Sequence, residues 1–358
     1  MHHADVARLR LTAQCISTTA FHHPRELVAW LGAVQAQDYL GALWAVGLRL
    51  TGARSADVEG ALADGSVVRT WPMRGTLHLV AAADARWILE LLGPKSIAGA
   101  AGRFRALGID DATLARARRT LVARLEHDGR LSRTSVYQVL ERAKIATGGQ
   151  RGVHILWRLA HERLLCFGPR EGKQQTLVLF DEWVKGARRL ARDEALGELA
   201  RRYFTSHGPA TMADFAWWSG LKVSDARAAI HLAEGHLSKE TLAEHVHWFA
   251  DVPVRPPAPR RRAFLLPAFD EFVVGYADRT AALRRGQEVG AIGAGGMLNP
   301  AIVVDDRIVG TWKRTVAGRA VVFVPSLFAP LSKPRAQAVV LALRRYADFL
   351  GLDVRGER

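Results

Sequence analysis

The chain has 358 residues, of which 49% are hydrophobic and 24% charged, and these proportions exclude a mainly disordered chain. No run approaches the roughly 18 uncharged apolar residues of a transmembrane helix, and the first residues lack a signal-peptide pattern. We therefore expect a cytoplasmic protein without a membrane partner. Cys15 and Cys166 are too few for a disulfide framework or a cysteine-based zinc site, and we expect neither a metal nor a cofactor.

The unusual property is charge, since 50 Lys and Arg residues against 35 Asp and Glu residues give a net charge of +15. Eight of the basic residues are lysine, which leaves 42 arginines. GC-rich coding also produces many arginines, so their number says little. The excess of positive over negative residues is better evidence for a charged partner, because codon bias does not require such an excess. A basic excess of this size favours a polyanionic partner, nucleic acid first and an anionic membrane second.

The first hundred residues combine helical patterns with a β-like stretch. Pro24 is typical of a helix start, and a second short helix is predicted over 55–64. The first helix carries an apolar stripe at helical spacing: Leu27, Trp30, Leu31 and Val34. Residues 67–71 and 74–80 then have the pattern of two strands around a turn at 72–73. Helices followed by a hairpin are typical of a winged-helix unit.

The same order recurs in the next segment, where helices are predicted over 112–127 and from Ser132. A loop with Gly148 and Gly149 leads into a third helix, and 177–180 has the pattern of a wing strand. This third helix is predicted to bury Val153, Leu156, Trp157, Ala160 and Leu164. Its other face has the spacing of a recognition helix that faces phosphates or a DNA groove: Arg151, His154, Arg158 and His161.

Charge is unevenly spread along the chain. Residues 101–175 hold 15 Lys and Arg against 7 Asp and Glu, a net charge of +8. A solvated arginine-rich surface would show the same excess, but the helix pattern and the charge together favour DNA contact.

A third copy of the helical pattern precedes a proline- and arginine-rich linker at 253–262, and the remainder is β-rich. Residues 264–275 and 301–324 alternate like antiparallel strands, with turns at 305–306 and 317–318. A closing amphipathic helix is predicted over residues 331–350. We predict a predominantly helical α+β fold with three tandem winged-helix units and a C-terminal β-rich part, divided as 1–108, 109–190, 191–252 and 253–358.

Common catalytic signatures fail. His161 and Glu162 begin like a zinc-protease helix, but the second histidine is missing. The glycine-rich GAIGAGG at 290–296 precedes a strand pattern rather than a helix, which excludes a dinucleotide-binding loop.

The polar pair Gln35 and Gln37 stands out beside the apolar stripe of the first helix. Residues at i and i+2 do not share a face of a regular helix, so both amides point to one place only if the helix ends or bends here, as Gly41 would allow. The simpler interpretation is a polar helix end whose amides are satisfied, and spacing alone favours it. Composition and periodicity do not reveal an enzyme.

Four blocks, in order and spread over nearly the whole chain, carry a resemblance to a known family. They are AVQAQDY at 33–39, RTWPMRGTLH at 69–78, LPAFDEF at 266–272 with DR at 278–279, and NPAIVV at 299–304 with GTWK at 310–313. With them the sequence resembles the winged-helix family of bacterial DNA glycosylases that excise alkylated bases and unhook interstrand crosslinks, the AlkZ/YcaQ family.

The catalytic signature of that family is Gln-apolar-Gln in one branch and Gln-apolar-Asp in the other, and this chain matches the first. The resemblance implies that Gln35 and Gln37 hold the water that attacks the sugar, with Asp38 as a neighbouring carboxylate that orients them. A purine alkylated at N7 is already positively charged, so it leaves without a general acid. The implied activity is that of a monofunctional DNA glycosylase of base excision repair, on N7-alkylated purines, crosslinks or the bulky adducts met in antibiotic self-resistance.

The resemblance also implies three units around a concave DNA-binding face and a monomer bound to double-stranded DNA. Beyond the basic helix face, candidate DNA contacts lie on two hairpins: Arg69, Trp71, Arg74, His78, Trp312, Lys313 and Arg314. Trp71 fits either a stacking wedge or a core residue. Asp270, Glu271 and Asp278 fit carboxylates that pair with arginines and hold the β-rich part together.

A non-catalytic winged-helix DNA binder, such as a transcription regulator, explains the charge and the helices equally well. Such a protein has no need of the glutamine pair and would tolerate Gln37→Ala.

Overall fold

The computed structural model describes residues 3–242, 244–250, 262–283, 286, 290 and 298–355. Its helices, in chain order, are α1 (His3–Ala13), α2 (Pro24–Leu31), α3 (Tyr39–Gly47), α4 (Ser55–Ala63), α5 (Ala82–Gly99), α6 (Ala101–Ala106), α7 (Asp111–Asp128), α8 (Arg133–Arg142), α9 (Arg151–His161), α10 (Phe180–Trp183), α11 (Arg192–His207), α12 (Met212–Ser219), α13 (Val223–Ala233), α14 (Glu271–Val274) and α15 (Lys333–Leu350). Its strands are β1 (Val34–Gln35), β2 (Val67–Met73), β3 (Thr76–Ala81), β4 (Leu131–Ser132), β5 (Leu165–Glu171), β6 (Gln174–Leu179), β7 (Leu237–Leu242), β8 (His245–Ala250), β9 (Ala263–Leu266), β10 (Ala301–Val304), β11 (Arg307–Ala317), β12 (Ala320–Leu327) and β13 (Asp353–Arg355). Most of the predicted linker, 253–261, and most of the glycine-rich segment, 291–296, lie outside the described residues.

A group of helices followed by an antiparallel hairpin occurs three times. Helices α2–α4 precede β2–β3, α7–α9 precede β5–β6, and α11–α13 precede β7–β8. Strands β9–β13 form a separate five-stranded sheet, and α15 packs on β9. The predicted α+β class with a β-rich C-terminal part is confirmed. Among the described residues, no helix has the length and apolar character that a membrane span requires.

The first two hairpins belong to one six-stranded sheet with the order β1-β3-β2-β5-β6-β4. The hairpins meet where Arg69 pairs with Phe167. The C-terminal part in turn shares a core with the first helices, since the Trp44 indole N–H donates to the Leu265 carbonyl at 2.6 Å and its ring lies 5.0 Å from that of Tyr346. The division at 108, 190 and 252 stays a prediction about sequence units, because packing joins them.

The segment before the glutamine pair differs from the predicted helix. Helix α2 ends at Leu31, since Gly32 has a φ of 78° that only glycine adopts readily. Val34 therefore reaches the core from β1 and not from the helix. The break is at Gly32 rather than at Gly41, which lies inside α3.

The predicted turn at 72–73 is wrong, because β2 continues through Pro72 to Met73. Its pairing with β3 is irregular between Thr70 and Met73, and such an irregularity accommodates the proline. The chain reverses at Arg74 and Gly75, whose φ angles of 53° and 73° suit a two-residue hairpin turn.

Helix α9 buries a face that only partly overlaps the predicted one, since Leu156 and Ala160 are buried as expected whereas Trp157 and Leu164 are half-buried. Val153 is 37% exposed and His161 only 1%. The buried residues are Gly152, Ile155, Leu156, Leu159, Ala160 and His161. The prediction assigned the histidine to the polar face by its type, whereas the apolar residues around it place it inside.

The predicted strand over 264–275 is shorter than expected. It ends at Leu266, and a turn with Phe269 at a φ of 59° leads into α14. The turn at 305–306 is confirmed by positive φ angles at Asp305 and Asp306. The turn predicted at 317–318 lies one residue later, at Gly318 and Arg319, because β11 continues to Ala317, which pairs with Ala320. Helix α15 confirms the closing helix.

Candidate active site

The Gln35–Gln37 segment, residues 35–37, lies at the edge of the six-stranded sheet. Gln35 ends β1 and pairs with His78 of β3, and the chain bends at Gln37. The Ala36 N–H continues the pairing by donating to the Leu77 carbonyl at 2.7 Å. Helix α2 has thus ended before both glutamines, which is one of the two ways in which their spacing allows both amides to reach one place. Their joint role in catalysis stays a prediction.

Each glutamine oxygen is held by one backbone N–H. The Gln37 N–H donates to Oε1 of Gln35 at 3.1 Å, and the Leu77 N–H donates to Oε1 of Gln37 at 3.1 Å. Gln35 is 6% exposed, whereas Gln37 is exposed. An amide oxygen has two lone pairs, so each retains one acceptor position. The segment thus carries one exposed side-chain amide, that of Gln37, and one buried side-chain amide, that of Gln35.

Arg69 holds the backbone of this segment from within the sheet. Its Nε and Nη2 donate to the Ala36 carbonyl at 3.2 and 2.9 Å, and its guanidinium lies 5.0 Å from the Phe167 ring. Burial lowers the pKa of Arg69 to about 10, against the opposing charges of Tyr39 and Asp38. Since the side chain is 6% exposed, the expectation that it contacts DNA phosphate is wrong for this conformation.

His78 lies inside the site rather than on its surface. Its side chain is fully buried, and Nδ1 lies 3.0 Å from the Thr76 carbonyl oxygen. Burial, aided by the charge of Arg74, lowers the pKa of His78 to about 4. The ring is therefore neutral at pH 7, and the prediction of a cationic phosphate contact is wrong.

Glu271, the first residue of α14, lies next to the Gln35–Gln37 segment and bonds to its backbone. Its Oε1 accepts the Gln35 N–H at 2.8 Å and its Oε2 accepts the Trp218 indole N–H at 3.0 Å. Nε2 of His207 lies 3.5 Å from Oε2. The expected pairing with an arginine holds for Asp270, which forms a buried pair with Arg49 at 2.8 Å, but not for Glu271.

Asp38 is exposed and precedes α3 without a side-chain capping bond. Its carboxylate lies over Gly41, where a Cβ would approach Oδ2 to 2.6 Å. A glycine at position 41 therefore leaves room for this carboxylate beside Gln37.

Comparison with known proteins decides the family. The family model described as DNA glycosylase AlkZ-like matches residues 28–349. The chain belongs to this family. It is accordingly a DNA glycosylase, and its substrate is DNA.

Two individual proteins agree with this assignment. A curated interstrand DNA cross-link repair glycosylase from Streptomyces sahachiroi is 28% identical over 320 residues, which are 80% of this chain and 81% of that protein. The solved structure of the DNA glycosylase AlkZ from the same organism has a TM-score of 0.82 at 23% identity and covers 99% of both chains. The AlkZ-like fold therefore extends over essentially the whole chain.

Two tryptophans predicted as DNA contacts of this AlkZ-like protein are core residues. Trp71 is 7% exposed and lies 5.1 Å from the Phe167 ring. Trp312 is 2% exposed and donates its indole N–H to the Leu266 carbonyl at 2.8 Å. Of the two alternatives for Trp71, the core residue therefore holds, and the prediction that Trp312 contacts DNA is wrong, because each ring fills a hydrophobic cluster. On the same strand, β11, Lys313 is exposed and Arg314 is half-buried.

The basic residues of α9 are tied to nearby acceptors. Arg151 donates to the Gly108 carbonyl at 2.9 Å, and Arg158 pairs with Glu162 at 2.6 Å. His154 is half-buried, with Nδ1 2.9 Å from the Gln150 carbonyl oxygen. Of the four predicted contacts on this helix, these three remain accessible, and His161 does not.

The structure adds surface groups that sequence patterns did not reveal. Arg74 lines a cleft of about 640 Å³ together with Lys95, Lys222 and Trp157. Trp217 is 47% exposed and lies 5.7 Å from the Arg279 guanidinium. Segments far apart in sequence form both groups, so no local motif announces them.

Proposed function

We propose that the protein is a monofunctional, monomeric glycosylase that hydrolyses the N-glycosidic bond of N7-alkylated purines in duplex DNA, including interstrand crosslinks. The observation that carries the proposal is the pair of amide oxygens of Gln35 and Gln37 at one edge of the sheet, each bonded to one backbone N–H and each with an acceptor position left. The crosslink part is supported by the 28% identity to a cross-link repair glycosylase.

The chemistry suits amides rather than a strong base. N7 alkylation places a positive charge on the purine, so the leaving group needs no proton. What the enzyme supplies is a water positioned at C1′ and stabilisation of an oxocarbenium-like transition state. A water that donates its hydrogens to the oxygens of Gln35 and Gln37 directs its own lone pair toward C1′. The electron pair of the breaking C1′–N bond neutralises the purine, the water oxygen bonds to C1′, and the proton that it loses passes to bulk water, which reaches the exposed Gln37 and Asp38. Asp38 beside Gln37 adds negative charge near the developing cation.

A water nucleophile also defines the monofunctional character. An amine nucleophile would form an imine with the sugar, which borohydride reduces to a stable protein–DNA adduct. We propose that borohydride yields no such adduct and that the product is an intact abasic site.

The DNA-facing groups of this proposal are the accessible basic residues. They comprise Arg74 in its cleft, the α9 group and the β11 group: Arg74, Arg151, His154, Arg158, Lys313 and Arg314. Since such contacts are electrostatic, we expect binding to weaken steeply with salt.

The test incubates the protein with an N7-methylguanine duplex and with a crosslinked duplex, and then cleaves abasic sites with alkali. We expect base release by the wild type and a loss on the order of 100-fold in Gln35→Ala and Gln37→Ala, with duplex affinity unchanged. Gln138→Ala, at an exposed glutamine of α8, is the matched control and should retain full activity. Tight DNA binding without base release from either substrate would instead identify a non-catalytic DNA binder.

A further inference from the structure

Glu271 is fully buried and connects three segments that are distant in sequence. One carboxylate oxygen accepts the Gln35 N–H, and the other accepts the Trp218 indole N–H, at 2.8 and 3.0 Å. Gln35 belongs to the first unit, Trp218 to α12 of the third, and Glu271 to the C-terminal part. His207, which ends α11, places Nε2 3.5 Å from the second oxygen.

Burying a carboxylate is costly unless donors surround it. Burial alone raises the pKa of Glu271, but His207 and the Gln35 N–H outweigh burial, and the pKa is lowered. The carboxylate is therefore ionised, and its bond to the Gln35 N–H is charge-assisted, which makes it stronger than a neutral backbone bond.

The same neighbours also fix the backbone before the glutamines. Trp218 lies against Gly32, where a Cβ would sit 3.5 Å from the indole ring. Gly32 ends α2 shortly before β1. One tryptophan thus contacts both the Glu271 carboxylate and the glycine at which the chain leaves α2.

We propose that Glu271 is a positioning residue of the active site, which acts through the Gln35 N–H to set the direction of the Gln35 and Gln37 amides. This inference rests on the proposed function, in which those amides orient the attacking water. It means that the third unit and the C-terminal part complete a site whose reacting side chains all lie in the first unit.

The neighbouring Asp270 offers a matched control. It is also fully buried, but its partner is Arg49, and its Oδ1 accepts the Phe272 N–H at 2.9 Å to cap α14. Asp270→Asn keeps the capping oxygen and removes the charge opposite Arg49. It lowers stability without touching the glutamine segment.

The kinetic arm of the experiment compares four variants well below their unfolding temperatures. We expect kcat for base release to fall on the order of 100-fold in Glu271→Ala and about tenfold in Glu271→Gln, whose amide oxygen still accepts the Gln35 N–H. Trp218→Phe should lose less than Glu271→Ala, and Asp270→Asn should keep the wild-type kcat. Affinity for undamaged duplex should stay within about twofold throughout, since none of these side chains is on the surface.

The second arm needs no activity. In protein labelled with ¹⁵N-glutamine, Glu271→Ala should shift the Gln35 backbone amide signal and the Gln37 side-chain amide signals and accelerate exchange of the Gln35 N–H. Asp270→Asn should leave all three unchanged. Unchanged glutamine signals and a wild-type kcat in Glu271→Ala would overturn the inference while base release by the wild type still supports the proposed function. If the wild type releases no base, the proposed function fails, and these signals still decide whether Glu271 positions the segment.

Discussion

The glutamine segment and helix α9 each lie beside a hairpin of the same six-stranded sheet, but they hold their polar groups differently. At the glutamine segment, the contacting carboxylate of Glu271 is fully buried. The adjacent pair of Arg49 and Asp270 is also fully buried, but it bonds Gln14, Ala45 and Phe272 rather than the glutamine segment. On α9, Arg158 and its partner Glu162 are 25% and 21% exposed, and Arg118 on the same carboxylate is 42% exposed.

This difference matches two tasks. A site that orients one water needs side chains fixed to within a fraction of an ångström, and buried, multiply bonded groups supply that. A surface that binds phosphates of any sequence needs charge more than exact placement, and long exposed side chains supply that. The groups around the glutamine segment are thus held in fixed positions, whereas the charged side chains on α9 can adjust theirs.

The largest predicted effect contrasts the two kinds of ion pair. Asp270→Ala leaves the Arg49 charge buried without its partner and should lower the free energy of unfolding by about 3–5 kcal/mol. Glu162→Ala, in the partly exposed group, should cost less than about 1 kcal/mol. Urea unfolding of both variants at pH 7.5 measures the difference. Equal losses would mean that the two regions are held alike.

The next prediction concerns a feature that the regions share, a buried neutral histidine. Burial lowers the pKa of His78, and likewise of His161, to about 4. The folded pKa of each histidine lies below the unfolded value near 6.5, so protonation favours the unfolded state. The free energy of unfolding is therefore undiminished above pH 6.5 and falls as the pH drops toward 4. Each histidine should cost about 2 kcal/mol at pH 5.

Unfolding of the wild type and of His161→Phe at pH 7.5 and pH 5 tests this point. The variant should lose about 2 kcal/mol less than the wild type on acidification. An identical pH dependence would place the His161 ring in solvent after all.

A third prediction addresses the bend that starts the glutamine segment. Gly32→Ala forces a side chain onto a φ of 78° and should cost about 1–2 kcal/mol, with reduced base release because the segment shifts. Gly60→Ala, within α4 and with open space at its Cβ, should instead stabilise the protein by up to about 1 kcal/mol. Thermal unfolding measures both, and a neutral Gly32→Ala would show that the bend does not depend on glycine.

The smallest effect is expected on the surface of α9. Arg158→Ala should weaken binding to any duplex about threefold and reduce the salt slope by about one, with kcat unchanged. Fluorescence anisotropy from 50 to 200 mM salt measures this. A changed kcat with an unchanged salt slope would show that Arg158 acts in the active site and not in electrostatic DNA binding.

Some of these features follow from local pattern. Apolar periodicity predicted the helix-and-hairpin order, since each element must bury one face. The residue pair Asp305 and Asp306 likewise predicted a turn that the structure has. The unusual Gln35 and Gln37 and the net charge of +15 were likewise visible in the chain alone. The AlkZ-like family followed from four blocks of residues rather than from any periodicity.

Residue type alone gave wrong answers wherever tertiary packing sets the environment. Arg69, His78, His161 and the two tryptophans Trp71 and Trp312 look like DNA contacts by type, yet all five are buried. Glu271 lies in an apolar block, which signals burial, but its partners come from residues 35, 207 and 218. The sequence by itself determined which elements form and which chemical groups are available. Only the tertiary structure decided which of them meet, because burial and hydrogen-bond partners depend on contacts between segments that lie from 33 to 236 residues apart.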